Sequence, residues 1–263
     1  MDARRKHLLK ELGIDRWVRR GLPAMPALAE PAIAAAQAAP PAPKAEPEMA
    51  KRGRPAKVAE PAAQYRPVPN LPGSEVPQDW DGLRAMVKGC QRCKLRPTCT
   101  QTVFGVGVEN APLMVIGEGP GADEDAQGEP FVGRAGKLLD EMLKSIGRSR
   151  KENVFIANVV KCRPPGNRDP EPDEVEACRP YLDQQIKLVK PKLIVALGRI
   201  AAQRLLSTDE PLSKLRGPMY QYGPQKTPLF ITYHPAYLLR SPREKAKSWE
   251  DLKKVHRFLK EQA

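Results

Sequence analysis

The feature that most constrains this chain is residues 113–133, LMVIGEGPGADEDAQGEPFVG, in which a short apolar run passes straight into a loop rich in glycine and acid. Leu113, Met114, Val115 and Ile116 are continuous and partly β-branched, the pattern of a strand buried on both faces of a parallel sheet. A loop at the carboxyl end of such a strand lies where open α/β sheets bind ligands. Gly117, Gly119 and Gly121 let backbone approach a ligand closely. Glu118, Asp123, Glu124 and Asp125 put four carboxylates into the same loop, whereas a loop that cradles phosphate would be neutral or basic. The stretch therefore predicts a ligand site with acidic chemistry and disfavours a nucleotide cradle.

The rest of the chain supplies the partners of that strand. Apolar runs at residues 154–160, 193–197 and 229–233 alternate with helical patterns at residues 136–146, 173–189, 199–206 and 245–259. That alternation predicts a three-layer α/β/α sandwich around a mainly parallel sheet of about four strands. A helical pattern of Trp80, Leu83, Met86 and Val87 opens the region, so the folded domain is expected over residues 79–263. No internal repeat is visible.

Ahead of that domain the composition changes. Ala and Pro make up 19 of the 30 residues at 21–50, which leaves too few large apolar groups for a core, so residues 21–78 are expected to form a disordered linker. Residues 4–20, RRKHLLKELGIDRWVRR, set Leu8, Leu9, Leu12, Ile14, Trp17 and Val18 among seven basic residues. They predict a short amphipathic partner-binding peptide anchored by Ile14 and Trp17. KRGRPAK, residues 51–57, resembles an AT-hook, in which Arg52 and Arg54 would enter a narrow minor groove. A net charge of +13 points to a polyanionic partner, and without a long apolar run that partner is nucleic acid rather than membrane. The charged N-terminus has no apolar signal core, so a reducing, nucleoid-associated cytoplasmic setting is expected.

Five cysteines in that setting suggest metal or catalysis rather than disulfides. Cys90 and Cys93 form a CxxC, while Cys162 and Cys178 follow with fifteen residues between them. Four thiolates gathered from three places suit either an iron-sulfur cubane or a structural zinc, and ligand softness alone does not decide. Cys99 is left over as a spare thiol.

GEGPGADED with PFVG after it, NVVKCRPP at 158–165, the four-cysteine spacing and HPAYLLR at 234–240 occur in this order across residues 80–263. In this the chain resembles the family 4, iron-sulfur uracil-DNA glycosylases. The resemblance implies an enzyme that acts as a monomer on uracil-containing DNA, flips uracil out and hydrolyses its N-glycosidic bond, leaving an abasic site for base excision repair. It implies a [4Fe-4S] cluster on Cys90, Cys93, Cys162 and Cys178. By the same resemblance Glu118 would orient the attacking water and stabilise the sugar cation, and His234 would stabilise the departing base. Phe131 would stack on uracil, Asn158 would read its imide edge, and Gly117 and Gly119 would line the pocket. Glu124 would crowd the C5 edge against thymine, Leu238 would wedge into the base stack, and Arg240 would meet phosphate. A related branch that traps DNA covalently carries a basic, histidine-containing insertion after its NVVK-like motif; none follows Cys162 here. Residues 4–20 are in turn similar to the peptide with which the psi subunit of the bacterial clamp loader grips the chi subunit. The alternative is a noncatalytic iron-sulfur nucleic-acid-binding protein on the same scaffold.

Overall fold

The computed structural model describes residues 75–262. The peptide at 4–20 and the basic cluster with Arg52 and Arg54 lie outside the described residues.

Four parallel strands form where the apolar runs predict them: β2 (Leu113–Gly117), β3 (Val154–Asn158), β4 (Leu193–Leu197) and β6 (Thr227–Thr232). Two antiparallel edge strands, β1 (Val106–Gly107) and β5 (Met219–Tyr222), extend the sheet to six in the order β1-β3-β2-β4-β6-β5. The expectation of about four strands therefore covers the parallel core alone. β1 has only two residues. β5 alternates, burying Tyr220 and Tyr222 while Gln221 faces out, which is the pattern of an edge strand with one wet face.

Helices cover both faces, and the alternation of side chains along each strand says which. Met114, Ile116, Phe155, Ala157, Ile194, Ala196, Leu229 and Ile231 pack on one side. There they meet α1 (Trp80–Lys88), α4 (Pro172–Val189), α5 (Gly198–Leu206) and α6 (Leu212–Leu215). Leu113, Val115, Val154, Ile156, Leu193, Val195 and Phe230 pack on the other, beneath α3 (Arg134–Lys144), α7 (Pro235–Arg240) and α8 (Lys245–Glu261). A short helix α2 (Ala122–Gln127) follows the acidic loop. Asp79 caps α1, its Oδ1 accepting from the Gly82 amide at 2.7 Å, so this helix begins where the Pro-rich composition ends. No helix among the described residues is long and apolar enough to cross a membrane.

The strand order fixes where a ligand can go. From β2 the chain crosses to β3 on one side, and β4 takes the other side of β2. The connections thus diverge above the carboxyl ends of these strands, leaving a crevice there.

Candidate active site and thiol cavity

That crevice is lined by the residues at which the strands end. Gly117 and Asn158 close β2 and β3 and face each other in the ladder. Gly198 begins α5 directly after β4, and His234 caps α7 two residues after β6. A Cβ on Gly117 would lie 2.5 Å from Asn158 Oδ1 and 2.6 Å from Phe131 Cζ, so a carboxamide and an aromatic edge converge on the bare glycine. A Cβ on Gly198 would lie 2.8 Å from that of His234. The two glycines allow the side chains to come together.

Asn158 is 2% exposed and its Oδ1 has no hydrogen-bond partner. Leaving a buried carbonyl oxygen unmatched costs on the order of 1–3 kcal/mol, a cost that a bound donor would remove. Its backbone is fixed from below. Lys161 Nζ donates to the Asn158 carbonyl at 2.9 Å and to Gln185 Oε1 at 2.6 Å, and Gln185 Nε2 donates to the Phe104 carbonyl at 2.9 Å. Burial holds the Lys161 ammonium down to about 8, with the nearby Cys178 acting the other way.

Phe131 is held in a conformation that side chains avoid, with φ at +56°. Arg150 maintains it, donating through Nη1 to the Pro130 carbonyl and through Nη2 to the Phe131 carbonyl, both at 2.9 Å, with Nε on Asp140. The ring lies 5.6 Å from the His234 ring at 33°. Glu124 braces the same loop: Oε1 accepts from the Val132 and Gly133 amides and Oε2 from the Gly121 amide. Three backbone amides thus occupy the carboxylate for which sequence resemblance suggests a place at the base edge.

His234 has one assignment open to it. Its Nδ1 accepts from the Ala236 amide at 3.1 Å, so the neutral ring carries its proton on Nε2. Burial, reinforced by Arg240, pushes the imidazolium down to about 4, and Glu124 opposes this weakly. The ring is therefore a neutral N–H donor at physiological pH. Glu118, next to Gly117, is pushed up to about 7, first by burial and then by the negative charge of Asp169, while Arg199 pulls the other way. Asp169 Oδ2 lies 2.6 Å from Arg199 Nη2.

One expected residue sits elsewhere. Leu238 is 1% exposed and packs in the core with Leu252 and Val255, because the short helix α7 turns that position inward. The exposed apolar group of HPAYLLR is Tyr237, 37% accessible, stacked on Tyr233 at 5.3 Å; Arg240 is exposed beside it.

A second cavity lies on the α4 side of the sheet. Cys90, Cys93, Cys162 and Cys178 line it together with Arg92, Lys161 and Tyr181. Backbone amides already point at two sulfurs, Lys161 N to Cys178 Sγ at 3.3 Å and Arg92 N to Cys90 Sγ at 3.5 Å. Burial pushes the Cys93 and Cys162 thiols up and Cys178 to about 12, so thiolates there call for a cationic partner. Four soft donors, two amide hydrogen bonds to sulfur and a buried lysine fit an iron-sulfur cluster. Among the described residues no three His, Cys, Asp or Glu side chains form a group that could hold a metal ion. Cys99 is buried outside the cavity lining, its thiol on the Arg96 carbonyl at 3.5 Å.

Sequence reading did not single out Arg150, Lys161, Asp169 or Arg199. Lys161 carries a signal in retrospect, as a lysine between an apolar run and a cysteine; the other three read as ordinary surface charge.

The profile of the uracil DNA glycosylase superfamily matches residues 104–253. The type-4 uracil-DNA glycosylase of Archaeoglobus fulgidus is 45% identical over 182 residues, covering 66% of this chain and 90% of that protein. That of Thermotoga maritima is 42% identical over 180 residues, covering 67% and 92%. The type-5 uracil-DNA glycosylase of Thermus thermophilus is 33% identical over 125 residues, covering 42% and 57%. The matched span contains Gly117, Phe131, Asn158 and His234, and the chain belongs to the uracil-DNA glycosylase superfamily, among its type-4 members.

Proposed function

We propose that this chain excises uracil from DNA, hydrolysing the N-glycosidic bond and leaving an abasic site. The observation that carries the reading is the buried, unpartnered Asn158 Oδ1 facing Phe131 across Gly117, with a neutral histidine beside it. Uracil N3–H would donate to Oδ1 and uracil O4 would accept from Nδ2, while Phe131 stacks on the ring. Cytosine reverses that donor and acceptor order and would leave both buried groups unmatched.

Glu118 serves the sugar. As the C1′–N1 bond breaks, its electron pair stays on the uracil ring, where the Nε2–H of His234 would meet the charge that develops. Water forms the new bond to C1′, and its proton passes towards the Glu118 carboxylate, which also stabilises the cationic sugar. Tyr237 and Arg240 present an aromatic face and a positive charge to the strand around the extruded nucleotide, the contacts expected of Leu238 and Arg240 from sequence. Glu124, locked to three amides, holds the Phe131 loop that borders the C5 edge.

Cys90, Cys93, Cys162 and Cys178 would hold a [4Fe-4S] cluster, whose chemistry here is to cross-link the segment after α1 to β3 and α4. Lys161 joins that cavity to the Asn158 carbonyl, so the thiol site and the base-reading residue share one buried support. Residues 4–20 we assign to the chi subunit of the clamp loader, on their similarity to the psi peptide; the linker would then raise enzyme concentration at single-stranded DNA.

The test compares single-turnover release of base from oligonucleotides carrying uracil or cytosine at one position. Uracil is released and cytosine is not, and Asn158→Ala lowers the uracil rate by about a hundredfold. Equal rates for wild type and Asn158→Ala would refute the reading.

A further inference from the structure

Tyr237 is one of two large apolar side chains left exposed among the described residues, and its amide donates to the His234 carbonyl at 2.9 Å, which places it within one turn of the site. Its ring is not a loose surface group. It lies on the ring of Tyr233, the residue before His234, with centroids 5.3 Å apart and planes at 25°. The guanidinium of Arg216, from the segment between α6 and β5, sits over the Tyr233 ring at 4.9 Å. Arg216 is itself fixed: Nη1 donates to the two carboxylate oxygens of Asp251 at 3.0 and 2.9 Å and to the Lys247 carbonyl at 3.3 Å. Asp251, buried in α8, also accepts from Thr232 Oγ1 at 2.8 Å, at the end of β6. Three elements thus converge behind an aromatic pair whose outer ring is open. The exposed charges that follow it in the chain, Arg240 and Arg243, are both positive.

We infer that Tyr237 is a stacking platform for the base that flanks uracil on the same strand, with Arg216 as its positioning residue. This rests on the proposed excision of uracil from DNA and names what meets the open ring beside the pocket. An extruded nucleotide leaves its neighbour without a stacking partner, and an aromatic ring can replace that partner whatever the base, since every base has a π-face. The replacement is effective when the ring is already held, because a free side chain would lose its rotamers on binding. Tyr237 is held by its contact with Tyr233, and the cation over Tyr233 holds that ring in turn. Arg240 and Arg243 would meet phosphates of the same strand. A ring within one helical turn of His234 is reached first by the immediate neighbour of the extruded nucleotide, so the platform needs no complementary strand.

The test is a binding cycle on the full chain with its cluster, using single-stranded and duplex oligonucleotides that carry one 2′-fluorinated deoxyuridine, whose fluorine destabilises the sugar cation and blocks cleavage. The base on either side of uracil, or the one opposite it, is replaced by a reduced abasic site. On single strands, loss of one of the two flanking bases should weaken wild-type binding about tenfold or more, and should cost Tyr237→Ala nothing further. Tyr237→Phe should keep this dependence and Tyr237→Leu should lose it, because stacking needs a ring whereas a merely apolar wedge does not. Arg216→Met should reduce the dependence about threefold, and a folded Arg216→Met protein with the wild-type dependence would overturn its positioning role. Tyr237 is exposed, so its variants decide the platform even where Arg216→Met does not fold. Equal dependence in wild type and Tyr237→Ala, equal dependence in Tyr237→Phe and Tyr237→Leu, or dependence confined to the base opposite uracil would overturn it. A wild type that releases no uracil from the unfluorinated oligonucleotide would instead defeat the excision reading on which the platform rests.

Discussion

Gly117→Ala puts the pocket geometry to its sharpest test, because one methyl group meets both base-contacting residues at once. The new Cβ would lie 2.5 Å from Asn158 Oδ1 and 2.6 and 2.7 Å from two carbons of the Phe131 ring. Ordinary contacts between such atoms are about 3.5 Å, so each neighbour must retreat by about 1 Å. Neither can do so freely. Asn158 is pinned in the ladder opposite Gly117 and by Lys161 on its carbonyl, and Phe131 is pinned by Arg150. The backbone of Gly117 is not in the left-handed region, so alanine brings only the steric demand. Overpacking of this kind costs roughly 1–3 kcal/mol of stability, and an ångström of displacement at the reacting centre costs about a hundredfold in rate. The assay is single-turnover release of uracil with enzyme in excess, alongside a thermal melt and the visible spectrum to show a folded protein. A folded Gly117→Ala variant within about threefold of the wild-type rate would refute the packing of base between Asn158 and Phe131.

Arg150→Ala frees the strained Phe131 backbone, worth about 1–3 kcal/mol, and should lower the excision rate about tenfold; Arg150→Lys should not restore it, because one ammonium cannot serve two carbonyls as the guanidinium fork does. Anaerobically purified protein should be brown, lose its colour in serine variants of Cys90, Cys93, Cys162 or Cys178 and keep it in Cys99→Ser; a colourless protein with one bound zinc would contradict this. Deleting residues 1–20 should leave excision on short oligonucleotides intact and abolish capture of the chi subunit. Trp17→Ala should weaken that capture by about 2 kcal/mol or more, and unchanged capture would refute the recruitment reading.

What could be read from the sequence follows from how local each signal is. The parallel strands announce themselves because burial on both faces demands an uninterrupted apolar run, and β2, β3, β4 and β6 meet that demand. β1 does not, since two residues carry no period. Gly117, Glu118, Phe131, Asn158 and His234 were legible as motif positions, and the fold brings Gly117, Phe131, Asn158 and His234 together. The residues that hold them were not. Arg150 reaches back across 19 residues to Phe131, and Arg199 across 30 to Asp169, distances at which no sequence spacing reports a contact. Leu238 shows the converse: its position in the motif suggested an exposed wedge, but the phase of α7 buries it and exposes Tyr237. The tautomer of His234 likewise depends on a contact that no sequence pattern reports, the Ala236 amide donating to Nδ1.

The most direct measurement of the central claim is the mass of the DNA strand after incubation of the full-length protein with a duplex carrying one uracil. Free uracil is expected in equal amount to an intact strand in which the base is replaced by hydroxyl, with breakage only on treatment with alkali. An unchanged strand, or one already cleaved before alkali, would contradict it.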